Sequence, residues 1–238
     1  MNHCVVDIET LAVPEEAKNP YVLSLGAMVF NDDLSLRKYF YRRFDQNQHG
    51  VISEDTKQWW NRQNPIVKKL AGFPCKEKIK LEVHDSVNSF FDIKWARMNP
   101  IDAMKDFRIF AHSSYVERYW GNSPTFDMRI LDIMHNSLEF NGNETNRLLS
   151  LPPWKETPNK SKFWMERDVR TLKDIHEMFK IDINEYKFVD YVKHDFKKNN
   201  LLQLVGVLHF ALSDAIEEAS IVYNTNMFLS KCKEVLES

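Results

Sequence analysis

Two carboxylates, Asp7 and Glu9, stand two positions apart in the apolar run Cys4 to Leu11. Val5 and Val6 are β-branched, so the run reads as a strand reaching the edge of a sheet. Strand side chains alternate, which points both acids to one face. Carboxylates held side by side on rigid backbone repel each other, and a divalent cation sharing their oxygens relieves that repulsion. The same triplet is also an ordinary solvated strand end, so its meaning depends on what else converges there. Two further acids each open a helix: Asp127 follows Ser123-Pro124-Thr125-Phe126, and Asp214 follows Ser213. A helix N-terminus favours the ionised form, which a metal ligand requires, although acids occur there for stability alone. His209 lies five residues before Asp214. Five residues of helix rotate by about 500°, so the two would not share a helical face. His209 is therefore expected in the loop entering that helix, where its imidazole can swing toward a cleft lined by Asp214.

Composition bounds what these residues could serve. The chain has 238 residues and no Pro-, Gly- or Ser-rich linker, which predicts one domain over residues 1–238 with a full core. Cys4, Cys75 and Cys232 have no metal spacing and no even pairing, as expected of structural thiols in a reducing compartment. No signal-like leader and no apolar run near twenty residues is present, so a soluble, cytoplasmic protein without membrane partners is expected. The formal net charge of −2 excludes a general nucleic-acid coating role. A polyanion would have to be gripped locally, by a site and its metals. The six glycines match neither a Walker loop nor a dinucleotide fingerprint, and neither G-x-S-x-G nor H-E-x-x-H occurs.

The elements that must position the acids alternate along the chain. Cys4 to Leu11, Tyr21 to Phe30 and Leu36 to Phe44 read as three consecutive antiparallel strands, with Asn31, Asp32 and Asp33 as a turn. Ser53-Glu54-Asp55-Thr56 opens a helix carrying Trp59 and Trp60, and Pro65 starts a short one. Val83 to Trp95 has apolar residues near helical spacing, and Arg108 to Ala111 reads as a fourth strand. A helix follows from Phe126 to about Phe140, with Thr125 as a cap. Asn141 to Lys162 is polar and predicts little structure. Trp164 to Val169 reads as a fifth strand, Leu172 to Phe179 as a helix and Ala211 to Leu229 as the last helix. The sum is an α/β fold with a mixed five-stranded sheet, three antiparallel strands then parallel ones, and helices on both faces.

Taken together, Asp7-Ile8-Glu9-Thr10, Leu23-Ser24-Leu25-Gly26-Ala27, Phe126-Asp127-Met128-Arg129-Ile130-Leu131 and His209-Phe210-Ala211-Leu212-Ser213-Asp214-Ala215 resemble the motifs of the DEDDh 3'-5' exonucleases. The likeness runs from residue 1 to about residue 223. Within that superfamily, Thr56 to Asn64 and Lys162 to Thr171 look most like phage exodeoxyribonuclease A and a related bacterial exoribonuclease group. The departures concentrate in Asn141 to Lys160 and Ile181 to Leu204. The resemblance implies a ribonuclease H-like fold and release of 5'-mononucleotides from the 3' end of a single strand. It implies two divalent cations, Mg²⁺ or Mn²⁺, as oxygen-only ligands favour. Asp7 would bridge them, Glu9 and Asp214 would complete the site of the attacking water, and Asp127 would hold the second ion. His209 would be the general base, a role suited to an imidazole with an ordinary pKa of about 6.5.

Substrate grip is expected just after the first motif, from Thr10 and from Leu11 as a wedge against the last base, and from Arg170 on a phosphate. Arg170 could equally pair with Asp168 or Asp174. Trp59 and Trp60 could stack on bases or fill the core. Lys193, Lys197 and Lys198 read as a solvated face. DNA is favoured over RNA because the phage deoxyribonuclease is the nearer likeness. That likeness also suggests a phage source, and then the cytoplasm of a host. The alternative is an exoribonuclease of the same fold, or an end-binding module without turnover.

Overall fold

The computed structural model describes residues 1–13, 18–45, 50–75, 83–123, 125–157, 160–161, 165–182 and 185–237. Its centre is a seven-stranded mixed sheet. Strands β1 (Asn2–Thr10), β2 (Val22–Asn31) and β3 (Arg37–Phe44) form the expected antiparallel meander. On the far side of β1, β6 (Arg118–Gly121) and then β9 (Glu166–Asp168) add in parallel. Of the seven strands, β6 is not among those expected, and neither are two on the β3 side. They are β5 (Phe91–Met98), parallel to β3, and the short β4 (Ser86–Val87), antiparallel to β5.

Two of the expected elements are corrected here. Val83 to Trp95 is not a helix: Phe91, Ile93 and Trp95 are buried and alternate with less buried neighbours, the period of a strand. Arg108 to Ala111 is not a strand but the end of helix α3 (Pro100–His112), which Asn99 caps by accepting from the Ile101 N–H. The same Asn-Pro device, Asn64 accepting from Ile66, opens α2 (Pro65–Ala71) after α1 (Glu54–Arg62). Helix α4 (Asp127–Ser137) falls where expected, but Phe126 rather than Thr125 stands at its N-cap and no side chain caps it. Asn141 to Lys162 is more ordered than its polarity suggested, with α5 (Glu144–Leu149) and the small pair β7 (Lys155–Thr157) and β8 (Lys160–Ser161). Trp164, at the start of the expected fifth strand, lies outside the described residues, as do Lys162 and Phe163. Helices α6 (Val169–Met178), α7 (Phe188–Lys198) and α8 (Ala211–Glu237) complete the chain. No helix among the described residues is long and apolar enough to cross a membrane.

Each face of the sheet carries its own core, and strand alternation decides which. Cys4, Val6 and Ile8 pack with α3 and α4, while Val5 packs with α7 and α8. Asp7 and Glu9 are in phase with Val5 and so face α8. Gly26 pairs directly with Asp7, and cross-strand partners share a face. A Cβ on Gly26 would overlap the backbone of Ala211 and Leu212, so the missing side chain is what lets the first turn of α8 lie on β2 beside Asp7. Phe210 anchors that turn, its ring 4.9 Å from Tyr41 and 5.8 Å from Trp95.

Gly26→Ala should therefore lift the start of α8 away from β2. The overpacked backbone should cost at least ~2 kcal/mol of stability, read as a lowered denaturation midpoint. An unchanged midpoint would contradict this packing.

Candidate functional site

The site forms where β1, the start of α8 and the start of α4 meet. Asp7 is half-buried, Glu9 and Asp127 are buried, and Asp214 is half-buried in the first turn of α8. Asp7, Glu9, His209 and Asp214 line one pocket, and Asp7 and Asp127 line the adjoining one. One ligand atom from each of Glu9, His209 and Asp214 lies within 4.8 Å of the others. The four acids predicted from sequence are thus brought together with the imidazole.

Local backbone chemistry holds each group. The Asp214 carboxyl stands near the backbone N–H groups of His209 and Phe210 at the start of α8, which partly offset the effect of its burial. His209 sits just outside α8 with φ +59°, a left-handed conformation uncommon for a non-glycine residue. Its exposed ring meets the edge of Trp59 at 4.8 Å. Asp127 accepts from the Ser123 N–H at 3.4 Å, and Gly121 leaves room beside that carboxylate, where a Cβ would stand 3.0 Å from its oxygen.

Crowding and burial act on all of these carboxyls in the same direction. Burial pushes Asp7 well above the usual carboxylate range, and Asp127, Glu9, Glu218 and Asp214 push it further. Glu9 is raised by burial, then by Asp214 and Asp127. Burial raises Asp127 and Asp214 to about 7 each. Of the described residues lining the pocket of Asp7 and Glu9, Lys173 is the only lysine or arginine. The donor set is oxygen-rich and anionic, and a hard divalent cation fits it.

The expected substrate contacts fare differently. Thr10 is buried, with its hydroxyl donating to Ala12 O at 2.8 Å and its carbonyl accepting from Trp60 Nε1 at 2.8 Å. Leu11 is 4 % exposed and packs with Tyr21, Leu23, Trp60 and Phe73, which leaves little of it to wedge a base. The tryptophans divide: Trp60 is buried and stacked on Phe73, whereas Trp59 is half-buried. Trp59 also lines a cleft of about 510 Å³ with Glu9, Val13, Arg62 and Phe126. Arg170 is exposed, donates to Ser123 Oγ at 2.8 Å and lines the pocket of Asp7 and Asp127. It pairs loosely with Asp168, at 3.5 Å. Lys193, Lys197 and Lys198 are exposed on α7, as a solvated face requires.

Sequence reasoning missed Glu218, which is 5 % exposed and lines the same pocket as Asp7 and Asp214. The signal was available, because four residues after Asp214 is one helical turn on the same face. Lys173, also missed, points into that pocket and donates to Asn122 Oδ1 at 2.8 Å.

The raised carboxyls tie stability to pH. Below about 4 both Asp214 and its unfolded counterpart are protonated. Between there and about 7 the fold binds that proton more tightly than the unfolded chain, so its contribution is lost as pH rises. Burial lowers His3 and His135, which act in the opposite sense, so a difference isolates the site. With chelator present, Asp214→Asn should gain thermal stability over the wild type, and the gain should grow from pH 5 to pH 8. A gain independent of pH would contradict the crowding.

Comparison with known proteins follows the same residues. A family model described as the 3'-5' exoribonuclease Rv2179c-like domain matches residues 2–225. No curated protein matches the chain. A crystallographic structure of the nuclease domain of 3'hExo, a DEDDh family member, bound to rAMP, aligns over 97% of this chain and 93% of that one, with 11% identity and a TM-score of 0.44. The family match spans β1 through most of α8, and by it this chain belongs to the Rv2179c-like 3'-5' exoribonuclease domain family.

Proposed function

We propose that the chain is one exonuclease domain that uses two divalent cations to remove 5'-mononucleotides from the 3' end of single-stranded nucleic acid, RNA by preference. The observation that carries this reading is the convergence of Asp7, Glu9, Asp127 and Asp214, from three separate elements, beside the exposed imidazole of His209. RNA takes first place from DNA because the family model is exoribonuclease-like. DNA stays as a second reading on the likeness of Thr56 to Asn64 and Lys162 to Thr171 to the phage deoxyribonuclease, although Lys162 to Trp164 lie outside the described residues.

Mg²⁺ or Mn²⁺ bound here would supply Lewis-acid charge for the phosphate oxygens and would make an attacking water more acidic. Asp7, central among the acids, would touch both ions, with Glu9 and Asp214 on one and Asp127 on the other. His209 stands beside Glu9 and Asp214, the position from which Nδ1 or Nε2 takes the proton of the attacking water. Trp59 packs against that ring and limits its swing. The terminal nucleoside fits the cleft between Trp59 and Phe126, aromatic faces on which a base of any identity can stack. Arg170, steadied by Ser123, lies on the Asp127 side, where the next phosphate would pass.

The test is degradation of 5'-labelled single-stranded RNA and DNA with Mg²⁺ or Mn²⁺, with and without chelator. Ladders shortening from the 3' end, faster on RNA and abolished by chelator, are expected, and Asp7→Ala should lower the rate by on the order of 10³. Faster loss of DNA would restore the deoxyribonuclease reading. Binding without shortening of either polymer would leave an end-binding module.

His209→Ala separates base from ligand. Turnover should fall by on the order of 10² to 10⁴ while Mn²⁺ affinity stays near that of the wild type. Lost affinity would make His209 a ligand.

A further inference from the structure

Glu218 belongs to the acid cluster by position, but to none of the roles assigned above. It follows Asp214 by one turn of α8, so the two side chains share a face and both line the pocket of Asp7 and Glu9. Its side chain is only 7% exposed. A buried carboxylate is costly unless its oxygens are paired. Glu218 is half provided for. One oxygen, Oε1, lies 3.9 Å from Lys173 Nζ, beyond hydrogen-bond distance, and that ammonium already donates to Asn122 Oδ1. The other, Oε2, is buried and has no hydrogen-bond partner among the described residues.

In the rest of the pocket wall, Asp7, Glu9, Asp214 and Glu217 are further acids and Ile8 and Leu208 are apolar, while Asn122 and His209, which could donate, make no hydrogen bond to the free oxygen. The free oxygen therefore sits in a wall shared with Asp7, Glu9 and Asp214. A small hard cation such as Mg²⁺ keeps several waters when protein carboxylates bind it, and each such water is a donor. Groups that hydrogen-bond to first ligands commonly tune metal affinity by 10–100-fold.

We infer that Glu218 is a fifth acid of the centre, a positioning residue whose free oxygen accepts a hydrogen bond from a water on a cation held in the pocket it shares with Asp7, Glu9 and Asp214. Lys173 balances its charge from the opposite side. This rests on the metal reading proposed above and adds to it a support that reaches the cations from α8, one turn beyond Asp214.

Glu218→Gln preserves shape and removes the charge. Mn²⁺ binding is measured by titration calorimetry and electron paramagnetic resonance on wild type and variant, with the melting temperature of each in chelator. The wild type is expected to bind two ions, and the variant to bind one of them 10- to 100-fold less tightly with the other unchanged. The metal-free variant is expected to melt higher, because an unpaired buried charge is gone. Identical Mn²⁺ isotherms for a two-ion wild type and the variant would overturn the role of Glu218 and leave the metal site standing. A lower melting temperature in chelator would show Glu218 paired within the metal-free fold and would also overturn it. A wild type that binds no Mn²⁺ would overturn the metal site itself, and Glu218 with it.

Discussion

Mutual repulsion among buried carboxylates is the constraint from which the rest of this structure follows. Asp7, Glu9, Asp127, Asp214 and Glu218 line two adjoining pockets whose described walls carry only Lys173 and Arg170 as lysine or arginine, and burial raises every one of the five. A fold relieves such crowding either by moving the acids apart or by keeping protons on them. Here separation is blocked: β1 is held between β2 and β6, and α8 is seated on Gly26. The backbone stores an affinity for positive charge, which divalent ions can satisfy better than protons.

The means of holding the acids differ, and the differences map onto their work. Asp7 and Glu9 gain rigidity from the sheet ladder. Asp214 gains it from the first turn of α8. His209 stands just before that turn, with a left-handed φ and its imidazole against Trp59. Asp214 and His209 are thus set by one local structure, and shifting the start of α8 would displace both. Helix α1 has a comparable double task. Trp60 ties it to the end of β1 through Thr10 O, which leaves Trp59 poised between the imidazole and the open cleft.

Much of this could be read from residue order, because the relevant signals are local. Alternation in Cys4 to Leu11 places Asp7 and Glu9 on one face, and a 500° turn keeps His209 off the helix that bears Asp214. Where the reading failed, a competing period or a cap was underweighted. Phe90 and Phe91 beside Val87 and Trp95 mimic helical spacing, yet Phe91, Ile93 and Trp95 alternate, and pairing with β3 settles the matter. Asn99-Pro100 carries the same helix-opening chemistry as Asn64-Pro65, and giving it equal weight would have run a helix through Arg108 to Ala111. The tryptophan pair and Leu11 are a different case, since which side chain faces solvent depends on where α1 and α2 dock across β1.

Glu218 shows why a site can be longer than its motif. In sequence, Glu217-Glu218 reads as a solvated charge pair on a long helix, and for the exposed Glu217 that is correct. One position later the helix has turned by about 100°, and the same side-chain type is carried into the pocket. Its neighbours then decide its meaning: Lys173 comes from α6 and Asn122 from the end of β6, elements far apart in the chain. The acids proposed as ligands are close to backbone landmarks, a strand end or a helix start. Residues that support them need only reach the pocket from behind, and so lie wherever helical phase delivers them.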